Sequence, residues 1–159
     1  MNKELVVLLH NIRSLYNVGS VFRTADAAGV SKIYLCGITP APVDILGKPR
    51  QKLAKVSLGA ENYVPWEKQK NISRTIETLK NAGYKILALE QSRKSIKYHE
   101  SSVKKYKKIA LIIGNEVKGL PPAILKKCDK ILEIPMRGSK ESLNVSVAFG
   151  IAVFELIKK

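Results

Sequence analysis

The chain has 159 residues, with 28 Lys and Arg against 13 Asp and Glu and a formal charge of +15. That length fits one domain, 1–159, with a hydrophobic core of its own. The composition excludes a disordered chain, and no apolar run is long enough for a secretory leader or a membrane span, so a cytoplasmic location is expected.

In chain order, Glu4–Leu9 reads as a buried strand and Asn17–Ala28 as a helix stopped by Gly29. Lys32–Cys36 is the next strand. Gly37–Pro49, rich in Pro and Gly, is a loop. Leu53–Leu58 reads as a short helix, Asn62–Trp66 as a weak strand, and Ile72–Ala82 as an amphipathic helix ending at Gly83. Tyr84–Glu90 and Ile109–Ile113 are two further buried strands. Pro121 and Pro122 open a short helix through Lys127. Lys130–Ile134 is the last strand, and Ser142–Ile157 is a helix with Ser142 as its N-cap. This alternation predicts an α/β domain with a mainly parallel sheet. The last helix is apolar nearly all round, which predicts burial on more than one side and favours a homodimer interface.

The positive excess sets up a field that attracts polyanions, with nucleic acid the leading partner. A basic surface that serves solubility is one alternative. An acidic membrane surface is a weaker one, because no basic amphipathic helix with an aromatic face is present. Cys36 and Cys128 lie far apart and form no CxxC pair, so they read as small buried hydrophobes. His10 and His99 have no partners at metal-ligand spacing, so no metal site is expected. The sequence has no GxGxxG after a strand, no Walker A loop, no GxSxG and no HExxH.

Three polar, glycine-containing clusters remain, each at the end of a predicted strand, where open α/β sheets bind ligands. The first is Asn17-Val-Gly-Ser-Val-Phe-Arg23. Asn17 can cap the helix, Gly19 can let a ligand approach its start, and Arg23 adds a forked phosphate donor one turn on. The second is Gly114-Asn-Glu-Val-Lys-Gly-Leu120, which holds Glu116 between two glycines. The third is Ile134-Pro-Met-Arg-Gly-Ser-Lys-Glu-Ser-Leu-Asn-Val-Ser-Val-Ala148, with polar Ser142, Asn144 and Ser146 in an apolar stretch. Taken singly, each has a plain structural reading: a capped surface helix, a strand–turn–helix connection, and a helix start bonded to loop backbone.

Together, NxGxxxR, GNExxGL and IPMxGxxxSLNVSVA in this order resemble the SpoU/TrmH family of RNA 2′-O-ribose methyltransferases, within the SPOUT superfamily. The resemblance covers nearly the whole chain and implies a minimal catalytic domain. It implies a parallel α/β sheet with helices on both faces and a deep C-terminal trefoil knot. It also implies S-adenosylmethionine as cofactor, a tRNA or rRNA ribose 2′-hydroxyl as methyl acceptor, and a homodimer with its active site near the interface. By resemblance, the cofactor pocket is lined by Ala88, Leu89 and Glu90, by Gly114, Asn115 and Gly119, and by Ile134, Met136, Ser142 and Leu143. Arg23 is the implied key catalytic residue, with Asn17, Glu116, Ser142 and Asn144 orienting it, the ribose and the cofactor. A guanidinium keeps its proton, so phosphate binding and alkoxide stabilisation suit Arg23 better than general-base work. Two other readings stay open: a non-catalytic RNA-binding protein that keeps the fold, and a base methyltransferase of a related knotted family.

Two basic segments are expected to hold RNA. The first includes Lys48, Arg50 and Lys52. The second begins at Arg93 and Lys94 and interleaves Tyr98 and Tyr106 with lysines, a pattern suited to stacking on unpaired bases.

Overall fold

The computed structural model describes residues 3–158. Its seven strands are β1 Glu4–His10, β2 Lys32–Cys36, β3 Trp66–Gln69, β4 Lys85–Leu89, β5 Ile96–Lys97, β6 Lys108–Ile113 and β7 Lys130–Glu133. They form one sheet in the order β3-β2-β1-β6-β4-β7-β5, and every pairing is parallel. β1 and β6 lie side by side at its centre, Leu5 opposite Ile109 through Leu9 opposite Ile113. Their unbroken apolar runs follow from burial on both faces. Leu5, Val7, Leu9 and Leu111 face one core, and Val6, Leu8, Ala110 and Ile112 face the other.

The first core is closed by α1 (Leu15–Ala28), α2 (Gln51–Ser57), the single-turn α4 (Ser101–Lys104) and α6 (Val145–Ile157). The second is closed by α3 (Ile72–Asn81) and α5 (Pro122–Leu125). Helices therefore cover both faces, as the alternating pattern predicts. The implied knot is a property of the chain's path, and the strand order is compatible with it. The chain leaves β4 for the edge strand β5, returns past β4 to β6, and comes back between β4 and β5 as β7.

Several local expectations are corrected. Asn17 does not cap α1: Ser14 does, its hydroxyl accepting from the Asn17 N–H at 3.2 Å. Ser142 does not cap α6: Asn144 does, its Oδ1 accepting from the N–H groups of Ser146 at 2.9 Å and Val147 at 3.4 Å. The strand expected over Asn62–Trp66 begins at Trp66 instead. Pro65 has no N–H for a ladder, and Ala60–Asn62 turns as a 3₁₀ helix. The basic segment after Arg93 is partly ordered as β5 and α4. Tyr98 and Tyr106 are half-buried against the first core rather than standing free for bases.

Cys36 is buried and Cys128 half-buried. Burial pushes their thiols up to about 12 and about 11, so both stay protonated at neutral pH. Among the described residues no group of His, Cys, Asp or Glu is placed to hold a metal ion, and no helix is long and apolar enough to cross a membrane.

α6 buries Phe149, Ala152, Val153 and Leu156, packed beside α1. Its opposite side leaves Val147, Ile151 and Phe154 exposed at 50%, 36% and 45%. These positions fall at i, i+4 and i+7, one stripe of the helix.

Candidate active site

Where β4, β6 and β7 end, the chain builds an open cleft of about 580 Å³. Its walls come from the ends of those strands, the 114–120 loop, the segment leading into α6, and Asn17 on α1. The three sequence clusters thus meet at one sheet edge, with the first cluster contributing only Asn17.

The 114–120 loop is shaped by its own polar groups. Asn115 Oδ1 accepts from the N–H groups of Val117 at 3.0 Å and Lys118 at 2.9 Å, and its Nδ2 donates to the Asn11 carbonyl at 2.8 Å. Gly119 has φ +65 and closes the loop by donating to the Asn115 carbonyl at 2.9 Å. A Cβ there would lie 2.3 Å from Glu90 Oε2, the oxygen that accepts the Leu120 N–H at 2.9 Å. Glu90 and Asn115 therefore line the cleft but hold the loop. Gly114 is fixed by contact, since a Cβ there would meet the Gly119 carbonyl carbon at 2.7 Å.

Glu116 ties this loop to α1. Its carboxylate accepts from the N–H groups of Arg13 at 3.2 Å and Ser14 at 3.1 Å, and from Asn17 Nδ2 at 3.2 Å. Asn17 Oδ1 in turn accepts from Asn144 Nδ2 at 3.1 Å. One hydrogen-bonded chain thus joins all three clusters at the cleft mouth. Burial acts to raise the Glu116 pKa. The influence of its own backbone N–H, together with the hydrogen bonds from Ser14, Arg13 and the Asn17 amide, outweighs that and holds the carboxyl below its ordinary value.

Leu89, Ile134, Met136, Ser142 and Leu143 also line the cleft. Ser142 stands on the wall outside the Asn17–Glu116–Asn144 chain. Ala88 does not reach the cleft: it is fully buried in the second core, on the opposite face of β4. Gly19 does not admit a ligand. A Cβ there would lie 2.6 Å from the Leu53 carbonyl oxygen, so its role is close packing of α1 on α2. Arg23, one turn further on, is exposed and lies outside the cleft. It is six residues from Asn17, about 9 Å along the axis and well round the helix.

Lys48 and Lys52 are exposed and Arg50 half-buried on the connection after β2, while Arg93 and Lys94 are exposed in the turn after β4. Arg93 and Lys94 thus form a positive rim after β4, one of the strands whose ends carry the cleft, while the first group follows β2 and runs into α2. Lys118 on the cleft wall, and exposed Arg13, Arg137 and Lys140 in the segments around it, extend this positive rim. Sequence reading passed over all four, although each stands in or beside a cluster, because single cations between polar residues carry no pattern of their own.

The sequence profile of the SpoU rRNA Methylase family matches residues 4–154. The chain belongs to this family. It is 35% identical over 159 residues to a TrmH family tRNA/rRNA methyltransferase of Staphylococcus saprophyticus, an alignment covering 97% of this chain and 58% of that protein. It is 34% identical over 153 residues to the tRNA (guanosine(18)-2′-O)-methyltransferase of Aquifex aeolicus, covering 96% and 68%. Among solved structures, the AdoMet-bound rRNA methyltransferase of Sinorhizobium meliloti superposes with a TM-score of 0.86 at 30% identity, covering 98% of this chain and 56% of that one. The chain thus spans little more than half the length of the Staphylococcus and Sinorhizobium proteins. The parallel sheet and its covering helices are those of the SPOUT methyltransferases.

Proposed function

We propose that this chain is a single catalytic domain that transfers a methyl group from S-adenosylmethionine to a ribose 2′-hydroxyl of tRNA or rRNA, working as a homodimer in the cytoplasm. The observation that carries the reading is the hydrogen-bonded chain Glu116–Asn17–Asn144 at the mouth of the cleft.

The cleft suits the cofactor. Its volume of about 580 Å³ is that of a small-molecule site. Leu89, Ile134, Met136 and Leu143 offer apolar surface for an adenine ring, while the strand ends and the 114–120 loop offer backbone groups for its edges. Glu133 and Glu141 place negative charge on the wall, suited to a cationic ligand. Bound there, the cofactor supplies an electrophilic methyl group on a sulfonium. The work of the chain's own residues is then alignment of the 2′-oxygen and accommodation of its developing charge.

Glu116 is poorly suited to take the 2′-hydroxyl proton. Three N–H groups occupy its oxygens, and its carboxyl is held below the ordinary range. Its role is to fix Asn17 and the start of α1. Arg23 binds the RNA phosphate beside the target ribose and stabilises the alkoxide. Because Arg23 stands outside its own cleft, the reading requires a second copy. The open α6 stripe begins at Val147, next to Ala148 of the cleft wall and near its Leu143, and α1 packs directly beside α6. A two-fold pairing through α6 brings the second copy's α1, and its Arg23, toward this cleft. The positive rim holds the rest of the RNA.

The test is transfer of labelled methyl groups from S-adenosylmethionine to total RNA from cells lacking the gene, with the product mapped by alkali-resistant dinucleotides. Label in such dinucleotides is the expected result. Label on a base would move the chain to base chemistry, and cofactor binding with no transfer would favour the non-catalytic reading.

A further inference from the structure

The connection after β2 contains a feature that the cleft does not use. Residues 43–49 form a tight hairpin: Val43 and Pro49 pair as an antiparallel bridge, Asp44 N–H donates to the Lys48 carbonyl at 2.8 Å, and Gly47 N–H donates to the Asp44 carbonyl at 3.0 Å. Asp44 Oδ1 accepts from the N–H groups of Leu46 at 2.8 Å and Lys48 at 2.9 Å, and Gly47 supplies the turn's φ of +78. This ordered turn carries Ile45 and Leu46 at its tip, 99% and 76% exposed. These hydrogen bonds hold the turn in a shape that leaves two large aliphatic side chains out in water.

The base of the hairpin is equally fixed. Thr39 is fully buried, and its hydroxyl donates to the Leu9 and Cys36 carbonyls at 2.8 and 2.9 Å while accepting the Ile12 N–H at 3.1 Å. Lys68 donates to the carbonyls of Gly37 and Thr39. Arg50 closes the stem, its N–H donating to the Pro42 carbonyl at 2.9 Å. Its Nε is buried without a hydrogen-bond partner among the described residues. Lys68 lies close enough for Arg50 to help lower its pKa, although burial is the larger cause. Two neighbouring cations, one with an unmet donor, form a site that an anionic group would relieve. Lys48 on the hairpin and Lys52 in the first turn of α2 add further positive charge.

An apolar tip on a rigid basic stem is the chemistry of a wedge. The stem takes phosphates, and the tip enters between bases and unstacks them. A recessed cleft that must receive one ribose gains from an RNA whose bases have been splayed apart. We propose that residues 43–49 are an RNA wedge, with Ile45 and Leu46 pressed between bases near the target nucleotide while Arg50 and Lys68 hold a backbone phosphate. This inference rests on RNA as the substrate class.

The test compares wild type with Ile45→Ser/Leu46→Ser and with Ile45→Met/Leu46→Met. Both side chains face solvent, and Asp44 and Gly47 are retained, so all three proteins are expected to melt alike. Filter binding of unfractionated tRNA and of ribosomal RNA is read across a series of KCl concentrations, with methyl transfer and light scattering in parallel. The serine variant is expected to bind RNA about tenfold more weakly with an unchanged salt slope, since phosphate contacts are intact, and the methionine variant to behave as wild type. Wild-type affinity in the serine variant overturns the wedge, as does a wild-type protein that binds neither RNA. A loss of affinity that accompanies a change of oligomeric state also overturns it and assigns the tip to a second copy of the chain. If wild type transfers no methyl group yet the serine variant still binds RNA more weakly, the wedge stands and the methyltransferase reading fails.

Discussion

Glu116→Gln separates the anchoring role of the carboxylate from any catalytic one. The wild-type group accepts three N–H donors, two from the backbone of Arg13 and Ser14 and one from Asn17. Glutamine keeps one acceptor oxygen, but its amide nitrogen faces a donor, so at least one charge-assisted bond is lost. Such a bond is worth about 1.5–3 kcal/mol when shielded from water. Glu116 is exposed, so screening reduces the expected loss to about 1–2 kcal/mol. For a chain of this size that lowers Tm by roughly 2–8 °C. The sign of the pH dependence follows from the lowered carboxyl pKa. A carboxyl whose folded pKa is depressed contributes stability above its unfolded value of 4.5, and that contribution is lost as pH falls through the lower folded value. The gap between wild type and E116Q is therefore constant from neutral pH down to the unfolded pKa and closes below it. Thermal melts across that range measure it. Equal melting temperatures at neutral pH, or a gap that persists undiminished in acid, would refute the anchoring argument.

Three further outcomes are expected. Arg23→Ala retains wild-type affinity for S-adenosylmethionine by titration calorimetry but loses methyl transfer by about 10²-fold or more. Co-expressed with a copy disabled in the cleft by Met136→Asp, it recovers roughly a quarter of wild-type activity, because half the dimers are mixed and each of those has one complete site. No recovery would mean that Arg23 serves its own cleft. Gly19→Ala forces a methyl group against the Leu53 carbonyl oxygen and destabilises the fold by about 1–3 kcal/mol in urea titration. Its cofactor affinity stays unchanged, whereas a ligand-approach role would give the reverse. Ile151→Glu/Phe154→Glu charges the exposed stripe of α6 and yields a monomer by light scattering with unaltered far-UV circular dichroism.

The sheet was legible because its strands are sealed on both faces. Leu5–Leu9 and Ile109–Ile113 are unbroken apolar runs with few alternatives, and each is followed by a polar break. Elements without that seal were not legible. Trp66–Gln69 has no buried position, and Ile96–Lys97 is a two-residue edge strand held by β7. Neither carries a periodic signal of its own. Gly19 was misjudged for a related reason. Gly19 and Gly119 are both demanded by a close approach, but the approaching atoms are the Leu53 carbonyl oxygen and the Glu90 carboxylate. Sequence spacing reveals the need for a missing side chain and says nothing of what fills the space.

The same limit governs the polar residues of the site, and there it explains why these residue types are present. Ser142, Asn144 and Ser146 in an apolar stretch signal that partners exist without naming them. The structure gives Asn144 two tasks at once: its Oδ1 caps α6, and its Nδ2 reaches Asn17, 127 residues away. Asn17 accepts that bond on its oxygen and donates its own Nδ2 to Glu116. A primary amide offers an acceptor and a donor on one rigid plane, which a carboxylate does not. Aspartate at 144 would cap the helix and leave Asn17 without a donor. Aspartate at 17 would set a second carboxylate against Glu116. The direction of hydrogen bonding therefore runs one way, from the start of α6 through α1 to the carboxylate, and it fixes two asparagines and a glutamate in three separate segments. The chemistry of that relay, more than any single cluster, accounts for the joint appearance of the three motifs in one chain.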